Sequence, residues 1–160
     1  MPRQFAYIES LPKKLVGAAC VLMNEHKDIL IMKPSYREGW LLPGGPLNEF
    51  ESPSHGCIRK TMEEAGLTIE GPQLIGVFHS LRRSDDKRRY ESVHFIFYGG
   101  ILDENARQEI TIESKSFESY KFVTREDAVS MLSFPLNERV KQSLAAMDKG
   151  TIAYAELVEE

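Results

Sequence analysis

The feature that most constrains this chain is a bend followed by a helix signal in its first half. Residues 34–50 hold three prolines and three glycines, including Leu42-Pro43-Gly44-Gly45-Pro46. That density of ring-locked and Cβ-less residues predicts an ordered loop with sharp backbone turns. Ser52-Pro53 then reads as a helix start, with Ser52 as the N-cap and Pro53 at the first helical position, and Gly66 reads as the stop. On such a helix Arg59 and Glu63, and likewise Lys60 and Glu64, lie one turn apart on one surface, so four charges form a compact patch.

Two loop carboxylates, Glu49 and Glu51, can fold back onto that patch. Carboxylates that converge repel one another unless a cation joins them, and hard oxygen ligands suit Mg²⁺ or Mn²⁺. An ion held there would neutralise a diphosphate and align it for attack by water. Gly44 and Gly45 let the backbone approach such a group, and the Gly45 carbonyl is itself a candidate ligand. The same helix charges also fit a second reading, an ordinary solvated face on which Arg59 and Lys60 pair with Glu63 and Glu64.

Strand signals flank this segment. Leu15–Met23 and Asp28–Lys33 are apolar runs around the polar turn Asn24-Glu25-His26-Lys27, which predicts a hairpin ended by Pro34. Further strands are expected at Gln73–Leu81, Glu91–Leu102 and Ser119–Val123. Arg82 to Arg89 carries five Lys/Arg and two Asp, either a solvated hairpin tip or a phosphate-facing loop. Thr124-Arg125-Glu126-Asp127 is a cap with acidic first-turn residues, opening a short helix. After Pro135, Leu136, Val140, Leu144 and Met147 recur at helical spacing up to Gly150. The order predicts a mixed α+β domain.

The segment 44–67, GGPLNEFESPSHGCIRKTMEEAGL, resembles the signature of the Nudix hydrolase family, G-x5-E-x7-R-E-U-x-E-E-x-G-U with U an aliphatic residue. Gly45, Glu51, Arg59, Glu63, Glu64, Gly66 and Leu67 stand at the expected positions, and Trp40-Leu41-Leu42-Pro43-Gly44-Gly45 leads in as that family's loop does. The resemblance implies one MutT-like domain over residues 1–160, with the box at 45–67. Its fold would be an α/β/α sandwich around a mixed β-sheet, with the box loop and helix at the active site. It implies Mg²⁺-dependent (or Mn²⁺-dependent) hydrolysis of a nucleoside diphosphate linked to another moiety. Glu63, Glu64 and the Gly45 carbonyl would ligate the metal. Arg59 would pair with Glu51 or orient a phosphate, and Glu51 would stand behind the ligands.

Two positions depart from the signature. Lys60 replaces the glutamate after the box arginine, and Thr61 replaces the aliphatic residue. A protonated lysine can neither ligate a metal nor act as a base, and it can compete with the ion for Glu64. Fewer or weaker ions are therefore expected, and another group must activate water. Glu113, Glu118, His79 and His94 are the candidates, with Glu118 taken as the catalytic residue. RKTMEEAGL also resembles the altered box of the GDP-mannose mannosyl hydrolases, which makes nucleotide-sugar hydrolysis an alternative. A nucleotide-binding module without turnover is the other. Arg37 and Trp40, with Tyr36, are candidates to hold phosphate and stack a base; Trp40 equally fits packing under the loop.

Charge limits the partners. With 20 Lys+Arg against 24 Asp+Glu the net charge is −4, which argues against a surface for a nucleic-acid polymer while leaving a small nucleotide-derived substrate open. Cys20 and Cys57 lie far apart with no zinc-finger spacing, and read as reduced thiols. Neither a signal peptide nor a membrane span is recognisable, so a cytoplasmic setting is expected. The apolar stripe of the last helix fits either the core or a homodimer contact.

Overall fold

Alternation in the first two strands builds two cores on opposite faces of one sheet. In β1 (Leu15–Met23) Cys20 and Leu22 face one way and Val21 and Met23 the other, and in β2 (Ile29–Pro34) Leu30 and Met32 oppose Ile29 and Ile31. All eight side chains are buried, which is why these strands read as continuous apolar runs rather than as a half-polar alternation. The computed structural model describes residues 2–159.

The remaining elements are α1 (Pro2–Ser10), β3 (Gly44–Pro46), α2 (Pro53–Ala65), β4 (Gln73–Arg83), β5 (Arg89–Ile101), α3 (Glu104–Gln108), β6 (Phe117–Val123), α4 (Arg125–Met131), α5 (Leu136–Asp148) and β7 (Ala153–Glu159). The sheet runs β6-β2-β1-β5-β4-β7, with β3 added on β1. Strands β1 and β5 are parallel, as are β4 and β7, and the other pairs are antiparallel. Helix α2 covers the Cys20/Leu22 face, packing Cys57 and Ala65 with Phe97 and Phe117. Helices α4 and α5 cover the other face, where Ala128, Val140 and Leu144 meet Ile75, Phe78 and Ile96. This is the expected α+β sandwich with a mixed sheet.

The stripe on α5 packs against the sheet, with Val140 and Leu144 fully buried, so of its two readings the core is the one observed. No helix among the described residues is long and apolar enough to cross a membrane. The hairpin turn is closed by Asn24, whose Oδ1 accepts from the His26 and Asp28 N–H groups at 3.0 and 2.9 Å.

One correction concerns the bent loop. Within it, Gly44–Pro46 forms strand β3, pairing Ala19 with Gly44, Ala18 with Gly45 and Gly17 with Pro46. A Cβ at Gly44 would stand 2.5 Å from the Ala18 carbonyl oxygen, so the glycine is what permits this close pairing. Further bonds hold the loop to the sheet: the Cys20 N–H donates to the Pro43 carbonyl at 2.9 Å, and Met32 and Leu41 exchange bonds of 2.7 and 2.8 Å. Helices α1 and α3 and strand β7 extend the elements expected from sequence. Strand β7 alternates Ala153, Ala155 and Leu157 inward along β4.

Candidate active site

Helix α2 is capped as its sequence requires. The Ser52 hydroxyl accepts from the His55 N–H at 3.2 Å, and Gly66 adopts a left-handed φ of 69° with its N–H on the Met62 carbonyl. These ends fix the rotation of the helix, and with it the direction of Arg59, Lys60, Glu63 and Glu64.

Arg59 ties the loop to the helix. Its Nε and Nη2 donate to Glu51 at 2.7 and 2.8 Å, and its Nη1 donates to both Glu63 oxygens at 3.1 Å. A planar guanidinium matches a carboxylate in this two-bond geometry, which a lysine cannot reproduce. The Arg59 bonds, followed by the Asn48 N–H, lower the Glu51 pKa from 4.5 to about 2. Gly56 lets the loop lie across the helix, because a Cβ there would fall 2.2 Å from Leu47 Cδ2.

Glu64 has the opposite environment. It is 7% exposed, and one carboxylate oxygen accepts from the Gly44 N–H at 2.7 Å. Burial raises its pKa; the Gly44 bond and the Lys60 ammonium oppose that rise, while Glu113 and Glu63 add to it. Lys60 lies over Gly45, where a Cβ would meet its Cε at 2.8 Å. Its Nζ is 3.6 Å from Glu63 and 3.8 Å from Glu64. The lysine ammonium thus sits against the carboxylates that sequence assigns to a metal.

No three Asp, Glu, His or Cys side chains among the described residues form a ready metal cluster. The donor types nonetheless fit one hard cation: the Glu63 and Glu64 carboxylates and the Gly45 carbonyl all offer oxygens, and burial makes the Glu64 anion costly unless a cation offsets it. Admitting an ion requires Lys60 to swing aside. Its contacts, both above 3.5 Å, are longer than hydrogen bonds and hold it loosely.

A cleft of about 540 Å³ opens from Gly44 and Gly45, with Tyr36, Arg37 and Trp40 along one wall and Arg139 also among its lining residues. Trp40 lines the cleft and packs partly on the α5-side core, the packing that is one of its two readings from sequence. Lys121 Nζ lies 4.8 Å over its ring. Arg37 is exposed at the mouth, its Nε on the Glu38 carbonyl at 3.3 Å. Behind the cleft a second cavity of about 630 Å³ shares Arg82, His94 and Arg139 with it. Of the basic run 82–89, Arg82 and Arg83 line this cavity, whereas Arg88 pairs with Asp86.

Burial, with the Arg139 charge nearby, lowers the His94 pKa to about 4, so its ring is neutral at pH 7 and meets Ser92 Oγ at 2.7 Å. His79 instead pairs with Glu91 at 2.9 Å. Arg139 is the residue that sequence reasoning missed. Its signal was its place on the stripe of Leu136, Val140 and Leu144, where a cation is unusual.

Residues 13–147 match the model of the NUDIX domain family. The chain belongs to the Nudix family. A Nudix hydrolase from Bacillus subtilis, YvcI, is 38% identical over 78 residues, 49% of each chain. The chain thus spans about half the length of this relative. A mouse protein named diphosphoinositol polyphosphate phosphohydrolase 3-alpha is 27% identical over 121 residues, 75% of this chain and 69% of the relative. The fold is shared with a MutT protein from Methanosarcina mazei, with a TM-score of 0.67 and 21% identity over 85% of this chain and 97% of that one.

Within the Nudix box, Arg59 joins Glu51 to Glu63, Glu64 takes the Gly44 N–H, and Lys60 lies over Gly45 and against both helix glutamates, whereas Glu49, expected to fold back onto this patch, stands exposed on the loop. Thr61 is accommodated in the aliphatic position because its hydroxyl, fully buried, donates to the Cys57 carbonyl at 2.8 Å. Glu118 is not brought to the box: it is exposed on the edge strand β6, with Lys33 at 3.7 Å. The loop carboxylate beside Glu64 is that of Glu113, whose N–H also donates to the Glu64 main-chain carbonyl at 3.1 Å.

Proposed function

We propose that the protein is a Nudix hydrolase that uses a divalent cation to cleave a nucleoside diphosphate linked to another moiety. The observation that carries this reading is the buried Glu64 carboxylate, held by the N–H of Gly44, which with Gly45 lines the cleft. Glu63, Glu64 and the Gly45 carbonyl would hold Mg²⁺ or Mn²⁺, which supplies charge neutralisation for the diphosphate and polarisation of its phosphoryl oxygens.

The chain's own residues do the rest. Arg59 keeps the loop on the helix through Glu51 and orients Glu63. Trp40 offers a face for a base and Arg37 a cation for a phosphate at the mouth. Glu113 is the loop carboxylate placed to take a proton from attacking water, a role that the sequence assigned to Glu118. Lys60 competes for the acidic oxygens, so cation binding is weaker than in a complete box. Its position also supports a second reading, a Nudix module that binds nucleotide with little or no turnover. The buried thiols of Cys20 and Cys57 support a reducing, cytoplasmic setting.

The test is a screen of nucleotide sugars, ADP-ribose, dinucleoside polyphosphates and diphosphoinositol polyphosphates with Mg²⁺ and Mn²⁺, reading phosphate after phosphatase coupling. Hydrolysis that falls in Glu113→Gln and persists in Glu118→Gln supports the assignment. A wild type inert on all of them, with an active Lys60→Glu variant, favours the binding module.

A further inference from the structure

The cleft also holds a buried guanidinium with no carboxylate in salt-bridge contact among the described residues. Arg139 is 7% exposed, its Nη2 donates to Ser80 Oγ at 2.8 Å, and its Nε is buried without a hydrogen-bond partner among the described residues. Burial lowers its pKa only to about 10, so it is charged at neutral pH. A buried arginine ordinarily has a carboxylate in fork geometry, as Arg59 has in Glu51. Arg139 instead borders both cavities, at the point where they meet.

Its surroundings are built for an anion that arrives from outside. Arg82 borders the same two cavities and supplies a second cation. The neutral His94 ring adds a polar wall without adding charge, and it has room there because residue 17 is glycine: a Cβ would stand 2.9 Å from His94 Nδ1. Glu159, at the end of β7, is the single carboxylate shared by the two cavities. Its oxygen lies 3.5 Å from Arg82 Nε, and its charge steadies Arg139 without forming a salt bridge to it. The second cavity balances Arg82, Arg83 and Arg139 with Asp85, Glu91 and Glu159, whereas the cleft sets Arg37, Arg82 and Arg139 against Glu159 alone among the described residues, so the excess positive charge lies on the cleft side.

We propose that this recess is a second anion subsite, which takes a phosphate monoester carried by the substrate outside the diphosphate that is cleaved. Arg139 supplies the inner donors, Arg82 the outer ones, and Glu159 is displaced when the phosphate enters. The subsite therefore selects diphosphates that bear an additional phosphate over those that lack it. The selectivity, though not the anion binding, rests on the diphosphate reading above.

Two measurements separate these parts. In EDTA, inorganic phosphate is titrated into ¹⁵N-labelled protein while the arginine Nε–H resonances are followed. A saturable shift of the Arg139 resonance is expected, weakened about tenfold or more in Arg139→Met by calorimetry, since hydrogen bonds to charged groups are the strong ones. Glu159→Gln, at the half-buried last position of strand β7 beside Arg82, removes the competing carboxylate and should tighten phosphate about threefold. This second variant decides the matter even if Arg139→Met fails to fold. An Arg139 resonance unmoved by phosphate, or unchanged affinity in Glu159→Gln, overturns the subsite.

With Mg²⁺, kcat/KM is then compared for coenzyme A against dephospho-coenzyme A, and for NADPH against NADH. The wild type should favour the extra phosphate through KM, and Arg139→Met should lose that preference. Equal ratios in both proteins for both pairs overturn the selectivity. Phosphate binding at Arg139 without hydrolysis of any diphosphate leaves the subsite standing and removes the hydrolase reading instead.

Discussion

On the box loop and helix the charges are tied together: Arg59 holds Glu51 and Glu63, Gly44 holds Glu64, and Lys60 leans on Glu63 and Glu64. Among the described residues Arg139 instead has one neutral partner, Ser80, and an Nε with no partner. The first network is a closed local circuit that needs only a cation to replace Lys60. The second is open and needs an anion. One charge pattern is written in a single loop and helix, and the other is assembled from β4, β5, α5 and β7 by the fold.

The largest expected effect separates the two networks. Glu64→Gln should lower turnover about 100-fold, since it removes the carboxylate proposed to hold the metal, while phosphate binding at Arg139, followed by NMR in EDTA, stays as in the wild type. Loss of both together would show that the networks are one site. Next in size is Gly44→Ala, where the added Cβ at 2.5 Å from the Ala18 oxygen must push β3 from β1. Thermal or urea unfolding should show a loss of about 1–3 kcal/mol, the usual range for overpacking. A neutral substitution would mean that the glycine pair is not anchored as described.

Lys60→Glu should raise Mg²⁺ affinity about tenfold, which is about 1.4 kcal/mol, by removing the competing cation and adding an oxygen ligand. Calorimetric titration checks this, and unchanged affinity would make Lys60 a bystander. The smallest effect is on pH. Glu51 has its pKa depressed from 4.5 to about 2 by Arg59, so its link stabilises the fold fully above the unfolded value and loses that contribution as pH falls through about 2. The stability difference between wild type and Glu51→Gln should therefore shrink from pH 5 downward. Glu64, whose pKa burial raises, should show no such loss on acidification. Matching acid profiles for the two glutamates would erase the contrast between them.

Local chemistry explains what was legible. The Ser52 cap, Pro53 and the Gly66 stop are decided within one turn of backbone, and Arg59 to Glu63 is an i,i+4 contact that any helix would make. The hairpin at Asn24 is equally short-range. Glu118 illustrates the opposite case. In sequence it is as good a loop carboxylate as Glu113, yet the pairing of β6 with β2 carries it to the sheet edge beside Lys33, whereas Glu113 remains at the end of α2. Strand β3 was hidden because Gly-Gly-Pro has low strand propensity, and only the neighbouring β1 supplies its hydrogen bonds.

By itself the sequence determined the box: which charges share a helix face, where that helix starts and stops, and that a lysine stands where a carboxylate would complete the acidic set. These follow from spacing along one element, and spacing is a property of the chain. Tertiary structure alone decided that the Gly44 N–H would reach Glu64, that Glu113 and not Glu118 would adjoin it, and that Arg139 would end buried at the junction of two cavities. Each of those depends on contacts between residues distant in sequence, made when burial of apolar surface on both faces of the sheet sets strand order and helix position.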